Sequence, residues 1–549
     1  MFKIIFLILF TSVIFNMSLP QSNRKAFING KIFTVNEKQP YAESVIVEDN
    51  KILFAGANKE AEKFITTSTE IIDLNGKLML PGFIDSHVHL INAGIYLIGV
   101  NLHPAKSREE FKEILKKHVS KNQGKWITGG YWDHEQWDKK VLPDRELIDD
   151  FTSNTPVFLE RIDGHMGLAN SYALKLATID KNTPDPEGGL IVKDPETGEP
   201  TGILKDNAMR LIYKVIPALS FKDNYEAALK ALEAAKQYGV TGMHDVSYKD
   251  HIKIFKEIEK EGKLSCRIYS LLPIAGYEYI FDSLQSKSEK IKLGGLKAFA
   301  DGSLGSSTAW FFEPYQQDTT AVGLPSDIIL NGKLEEWAFE ADKNKLQVCT
   351  HAIGDKANAW VLNLYKKIKN KNPLWDRRFR IEHAQHVRFS DIQEFAEIDV
   401  IASCQPFHAI DDGVWAEKRI GPGRIKYSYP FRSFLDAGVR LSFGSDWPVA
   451  PLNPLLGIYA AVTRRTLDEK NPDGWIPEQK ITIEEAIKCY TINSVYASFE
   501  EKIKGSIEAG KLADLVVLDQ NILIIDPVEV KDTKVIMTIF DGEIIYRSR

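Results

Sequence analysis

Eight apolar runs, separated by helix-like segments through the middle of a 549-residue chain, constrain the fold more than any other feature. They fall at about 79–90, 240–246, 266–272, 293–300, 346–352, 379–383, 400–406 and 440–445. Short continuous apolar runs suit strands buried on both faces, as in a parallel sheet covered by helices. The clearest helical period lies between the first two. There Tyr225, Ala228, Leu229, Leu232 and Ala235 form one stripe, Ser220 is a suitable N-cap and Gly239 a C-terminal stop. Eight β/α units predict an α/β protein built on a (β/α)8, TIM-like barrel, whose chemistry gathers at the C-terminal strand ends.

The two ends of the chain read differently. Residues 24–80 carry short strands and turns, with an Asn29-Gly30 hairpin signal and a second turn at Asp49-Asn50. Residues 501–549 resume that style, so the ends are expected to form one small sheet domain around a barrel spanning 81–500. About 150 residues separate the first two barrel strands, far beyond a normal connection. That interval predicts an inserted subdomain at about 100–235, beside the active-site mouth.

Composition closes off several functions. A net charge of −6, with no basic run interleaved with aromatics, gives nucleic acid nothing to bind. Cys266, Cys349, Cys404 and Cys489 are widely scattered and read as buried small hydrophobes, not a thiolate site or a disulfide framework. Residues 1–22 differ from the rest: Lys3 precedes an apolar run from Ile4 to Phe10, extended by Val13-Ile14-Phe15. This matches a secretory signal and predicts a periplasmic or secreted protein, with an uncleaved membrane anchor as the alternative. No later segment has the length and apolarity of a span.

The chemistry begins at Pro81-Gly82-Phe83-Ile84-Asp85-Ser86-His87-Val88-His89. Residues two apart on a strand share a face, so two imidazoles converge there in a way that suits a metal such as zinc. His351, His383 and Asp446 end later strands of the inferred barrel and fall at the same rim. Singly, each is most simply a satisfied core or loop residue. Their shared position at separate strand ends favours a site. Lys297, within an apolar strand, is costly to bury as a cation; an ion pair with Asp301 is the ordinary reading.

Taken together, His87, His89, Lys297, His351, His383 and Asp446 resemble the metal site of the amidohydrolase superfamily. The runs Leu296-Lys297-Ala298-Phe299-Ala300-Asp301-Gly302 and Gly444-Ser445-Asp446-Trp447-Pro448 are similar to the branch of YtcJ-like hydrolases and N-substituted formamide deformylase. Gly505 to Val516 resembles the return into that superfamily's β-sandwich. The resemblance implies one or two divalent metals, with zinc expected, held by His87 and His89 with Asp446, and by His351 and His383. It also implies that Lys297, carboxylated by carbon dioxide, bridges them, and that Asp446 shuttles a proton.

The expected activity is hydrolysis of a linear C–N amide bond in a small-molecule N-acyl or N-formyl amine. Deamination or cyclic amide opening, or a non-catalytic exported binding protein, are the alternatives. A homodimer is compatible with all of these. His165, Asp301 and Trp132 are expected to contact substrate. His408 lies near the rim but is not assigned a role.

Overall fold

The computed structural model describes residues 23–134, 137–161, 166–186, 189–277, 288–305, 307–316 and 318–548. The expected signal or anchor segment, and the candidate His165, lie outside the described residues. Eight parallel strands follow one another in chain order in a single sheet. They are β1 (Phe83–Val88), β2 (Val240–Val246), β3 (Arg267–Pro273), β4 (Ile291–Phe299), β5 (Gln347–Ala352), β6 (Arg380–His383), β7 (Ile401–Cys404) and β8 (Leu441–Phe443). Beyond β8 the chain returns to β1. The Asp446 N–H donates to the His87 carbonyl at 2.7 Å, and the His89 N–H to the Trp447 carbonyl at 2.9 Å. The barrel is thereby nearly closed at the rim where those residues sit.

Burial explains why these runs become central strands. Every residue of β1, β2, β5, β6, β7 and β8 is buried, because the barrel interior packs one face and helices cover the other. Helix α1 (Leu90–Ile98) leaves β1 directly after His89. It packs on α2 (Phe221–Gln237), the helix that leads into β2. Ser220 caps α2 with a full capping box to Asp223, and Gly239 turns the chain at φ +71°.

Two local expectations are corrected. The run at 79–90 is not one strand but two, Leu78–Pro81 and β1, belonging to different sheets. Gly82 marks the break: a Cβ there would lie 2.2 Å from Thr241 Oγ1, and its N–H donates to the Asp514 carbonyl at 2.8 Å. The Asn29-Gly30 signal does not make a hairpin. Arg24–Ile28 pairs with Ser44–Glu48 and Glu70–Asp73, whereas Lys31–Phe33 joins the other terminal sheet. The turn is a corner between sheets, where the Gly30 N–H is taken by the Glu43 carbonyl and the Lys31 N–H by the Lys77 carbonyl. The second turn, at Asp49-Asn50, does join an antiparallel pair with Glu48 opposite Lys51.

One six-stranded sheet draws on both ends of the chain. Lys31–Phe33, Tyr41–Ala42 and Leu78–Pro81 sit beside Leu515–Leu518, Val535–Phe540 and Glu543–Arg547. It shares an apolar cluster with the four-stranded sheet of residues 24–73, in which Phe27, Val45 and Val47 meet Met79, Leu515 and Val517. Between β1 and β2 lies a further six-stranded sheet, running from Val100–Asn101 to Pro200–Asp206. All four cysteines are free and buried. Among the described residues, no helix is long and apolar enough to cross a membrane.

Candidate metal centre

β1 delivers His87 and His89 to the rim, and the loop after β8 delivers Asp446. Asp446 Oδ1 lies 3.2 Å from His89 Nε2 and 3.6 Å from His87 Nε2. Asp446 has φ +60°, a strained conformation for a non-glycine residue, held by the backbone bonds that join β8 to β1. Asp85, the third residue of the alternating face, is not aimed at this point. Its Oδ1 accepts from the N–H groups of His87 at 3.1 Å and Ser445 at 2.9 Å, so it ties the first strand to the last.

Behind His87 stands a buried ion pair that sequence reasoning did not single out. The His87 Nδ1–H donates to Glu382 Oε2 at 2.6 Å, and Arg380 Nε lies 2.7 Å from Glu382 Oε1. Arg380 also donates to the Ser86 carbonyl at 2.6 Å and lies 2.8 Å from His244 Nδ1. This fixes the tautomer of His87 and leaves Nε2 facing the cavity as a lone-pair donor. Burial, reinforced by the Lys297 charge, pushes the His87 imidazole down to about 4 despite Glu382 beside it. Burial works to raise Glu382, but Arg380 and His87 hold it well below the usual carboxylate range.

Lys297 on β4 is buried, with Nζ 3.3 Å from His87 Nε2 and 4.7 Å from the Phe299 ring centre. Burial lowers its pKa, and Glu382 and Asp446 only partly offset that. Burial likewise acts to raise Asp446, yet the hydrogen bond from His89 and the neighbouring histidines hold it well below the ordinary value. The rim therefore combines an anionic oxygen on Asp446 with a His87 imidazole that burial keeps neutral.

His383, at the end of β6 with φ +74°, donates from Nδ1 to Gln405 Oε1 at 2.8 Å, which leaves its Nε2 free. Its ring centre is 4.9 Å from that of His87 and 4.5 Å from that of His351. His351 is more heavily engaged: Nε2 lies 3.0 Å from the Gly302 carbonyl and 3.4 Å from Asp301 Oδ1. Its partner Asp301 corrects an expectation. The Asp301 carboxylate accepts from the N–H groups of Trp310 at 2.8 Å, Ile353 at 3.0 Å and Gly354 at 2.8 Å. Those bonds join the loops after β4 and β5, so the carboxylate organises the rim and is not free for substrate.

Trp132 is a second correction. It is 0% exposed within the sheet between β1 and β2, and its indole N–H donates to the Leu159 carbonyl at 2.8 Å. Its size and apolarity drew it into the core of that sheet, so it gives substrate no face. His408, left unassigned from sequence, is brought to the cavity by the short helix Pro406–Asp412 that follows β7. The signal lay in Gln405-Pro406-Phe407-His408: a proline starting a helix at a barrel strand end, with a histidine in its first turn.

The donor set fits a divalent metal. His87, His89 and Asp446 each place a ligand atom within 4.8 Å of the others, and so do His383, His408 and Asp446. Neutral imidazole nitrogens and a carboxylate oxygen are the ligand types that zinc and similar ions take. The groups open into a cavity of about 320 Å³ whose wall includes Phe299, Leu304, Ile353, Trp415 and Val449.

Residues 70–546 match the amidohydrolase family. The chain is 39% identical over 510 residues to Protein LONG AFTER FAR-RED 3 of Arabidopsis thaliana, covering 90% of this chain and 86% of that protein. It is 35% identical to the putative amidohydrolase YtcJ of Bacillus subtilis, over 94% of this chain and 98% of that one. With N-substituted formamide deformylase of Arthrobacter pascens it shares 28% identity, over 94% and 97% of the two chains. A solved metal-dependent hydrolase of Pyrococcus horikoshii, itself uncharacterized, superposes with a TM-score of 0.77 at 29% identity, covering 92% and 99%.

Proposed function

The chain belongs to the amidohydrolase family, and from that membership and the geometry of its rim we propose that it hydrolyses a linear carbon–nitrogen amide bond in an N-acyl or N-formyl amine. The observation that carries the reading is the convergence of His87 Nε2 and His89 Nε2 on Asp446 Oδ1, at 3.6 and 3.2 Å, inside a cavity at the barrel rim. His87, His89 and Asp446 would hold a divalent cation, which when bound would supply Lewis-acid activation of water and of the scissile carbonyl.

The protein's own groups do the rest. Asp446 is kept ionised at neutral pH, so its carboxylate is available to accept the proton that water loses on attack. Passing that proton to the departing amine nitrogen is favourable, because an alkyl amine is far more basic than a carboxylate. Lys297, kept from being a comfortable cation by burial, adds through its neutral nitrogen to carbon dioxide. A nitrogen–carbon bond forms, one proton leaves, and the resulting carbamate is an anionic oxygen donor. The apolar wall around Phe299, Leu304, Trp415 and Val449 suits the N-substituent of such an amide. The name of the Arthrobacter pascens relative, an N-substituted formamide deformylase, supports the same substrate class. On this reading the reaction resides in the barrel rim. The terminal sheets act as a β-sandwich domain, and the segment between β1 and β2 as an inserted subdomain.

The test is a panel of N-formyl and N-acyl amines, assayed for released amine with metal-replete protein and with Asp446→Asn. Wild-type protein should release amine. The variant should retain the fold by circular dichroism but turn over about 10²–10⁴-fold more slowly, the usual value of a positioned acid–base group. Ammonia release from heterocycles without amide turnover would transfer the site to deamination.

A further inference from the structure

The cavity has a second polar side, away from His87 and His89. The helix that follows β7 (Pro406–Asp412) brings His408, Asp411 and Asp412 to its wall. Residues three and four apart on a helix are neighbours, so both carboxylates lie one turn beyond the imidazole, with Cβ atoms roughly 5–6 Å from it. Asp411 stands exposed at the mouth and Asp412 is half-buried. Among the described residues, neither is paired with a lysine or an arginine. Arg419, on the next helix, is taken instead by Ser307 Oγ at 2.8 Å and the Gly305 carbonyl at 3.2 Å. Tyr429 donates to Asp412 Oδ2 at 2.5 Å.

Packing gives no reason for this pair. Adjacent carboxylates repel, and these two end a helix, where free carbonyls already carry partial negative charge and no basic side chain occupies the last turn. Burial raises both pKa values, opposed by His408 at Asp411 and by Tyr429 at Asp412, which is pushed up to about 7. A cation from outside the chain relieves both costs. His408 points to a ligand independently: it is 9% exposed, and its Nε2 is buried without a hydrogen-bond partner. His251 and His386 also bury such a nitrogen, but of the three His408 alone lines the cavity. A neutral imidazole nitrogen there accepts from an ammonium N–H. Trp415, three residues past Asp412, adds an aromatic face to the same wall, and such a face attracts a cation.

We infer that Asp411 and Asp412 form a cation subsite and that the substrate is an acylated diamine, an amide whose nitrogen carries an alkyl chain ending in ammonium. The amine side is the one concerned, because the apolar wall that takes the N-substituent ends, at Trp415, beside these carboxylates. The ammonium sits at the acidic pair and the methylenes cross the apolar wall. The amide nitrogen then reaches Asp446, which has a carboxylate oxygen within 4.8 Å of a ring nitrogen of His408. The inference rests on the amide-hydrolase reading and names its substrate class.

The experiment compares N-formyl and N-acetyl diamines, from diaminopropane to diaminohexane, with the alkylamine derivatives in which a methyl group replaces the ammonium. Amine release gives kcat/KM for each pair. The best ammonium substrate should exceed its neutral partner ~10–100-fold, the worth of one or two charge-assisted hydrogen bonds. In Asp411→Asn and Asp412→Asn, which keep the side-chain shape, that ratio should fall at least ~10-fold. In Asp411→Lys it should drop below one. Zinc content and circular dichroism of each variant separate loss of the subsite from loss of the rim or the fold. Because Asp411 is exposed, its two variants carry the test even where Asp412→Asn fails to fold. Calorimetric titration with the free diamines and alkylamines reads the same contrast without turnover. Neutral substrates turned over as well as ammonium ones by wild type, or a ratio unchanged in the folded Asp411 variants, would overturn the inference. Hydrolysis of neither series, with diamine still bound in an Asp411-dependent way, would instead overturn the functional reading and keep the subsite; without that binding, both fall.

Discussion

Lys297 occupies the least forgiving position at the rim: an amine buried beneath Phe299, 3.3 Å from the nitrogen of His87 that faces the cavity. An ammonium there repels any cation held by His87, and a carbamate attracts it. Lys297→Ala should therefore lose metal and lower turnover more than ~100-fold, and high concentrations of short carboxylic acids should restore part of both by filling the vacated space. Lys297→Arg should not be rescued, since a guanidinium keeps its charge and its bulk. Metal content and amine release, measured with and without propionate, check this; full activity in either variant would remove the carbamate from the account. The carboxylate and imidazole types at the strand ends were legible from sequence, because ligand chemistry is written in residue type and strand position. The roles of Asp301 and Trp132 were not. Each depends on which neighbours claim its polar atoms, and that is settled by loops and a sheet formed elsewhere in the chain.

At the scale of elements, the contact between α1 and α2 governs how β1 meets β2. A Cβ on Gly94 would lie 1.9 Å from the Ala227 carbonyl oxygen, so the two helix backbones approach as closely as glycine permits. Gly94→Ala should destabilise the protein by about 1–3 kcal/mol or more, since the clash is with backbone and cannot be relieved by a side-chain rotation. Urea unfolding of stripped protein measures it, and an unchanged midpoint would show that the helices can separate at no cost. Periodicity and capping made α2 readable, from Ser220 to Gly239, because both signals are local. The Asn29-Gly30 turn was misread for the opposite reason. A turn signal specifies that the chain changes direction, not which sheet receives the next strand, and here the two strands enter different sheets.

Across the whole molecule, the sheet built from both termini is fastened to the barrel on the side opposite the rim. Arg267, at the start of β3, is buried with Nε 2.7 Å from Asp514 Oδ2 and its NH2 nitrogen 2.8 Å from Asp541 Oδ1. Both carboxylates belong to the C-terminal stretch, so this one side chain links strands far apart in sequence. Arg267→Met should cost about 3–5 kcal/mol, because it leaves the buried Asp514 carboxylate without its cation, while Asp541 keeps Lys290 at 2.7 Å. Thermal unfolding should show the loss, and the surviving folded protein should keep its metal affinity, since the rim lies at the other end of the strands. The sequence by itself determined the eight barrel strands, the α/β class and the residue types at the strand ends, because burial on both faces and the two-residue repeat are properties of short segments. Only the tertiary structure decided what stands behind and beside those residues. Glu382 supports His87 across 295 positions of chain, Arg380 holds Glu382, and β7 brings Gln405 and His408 to the candidate ligands of other strands. Such contacts arise only when the barrel closes, since no local pattern encodes which distant side chain will meet a given imidazole.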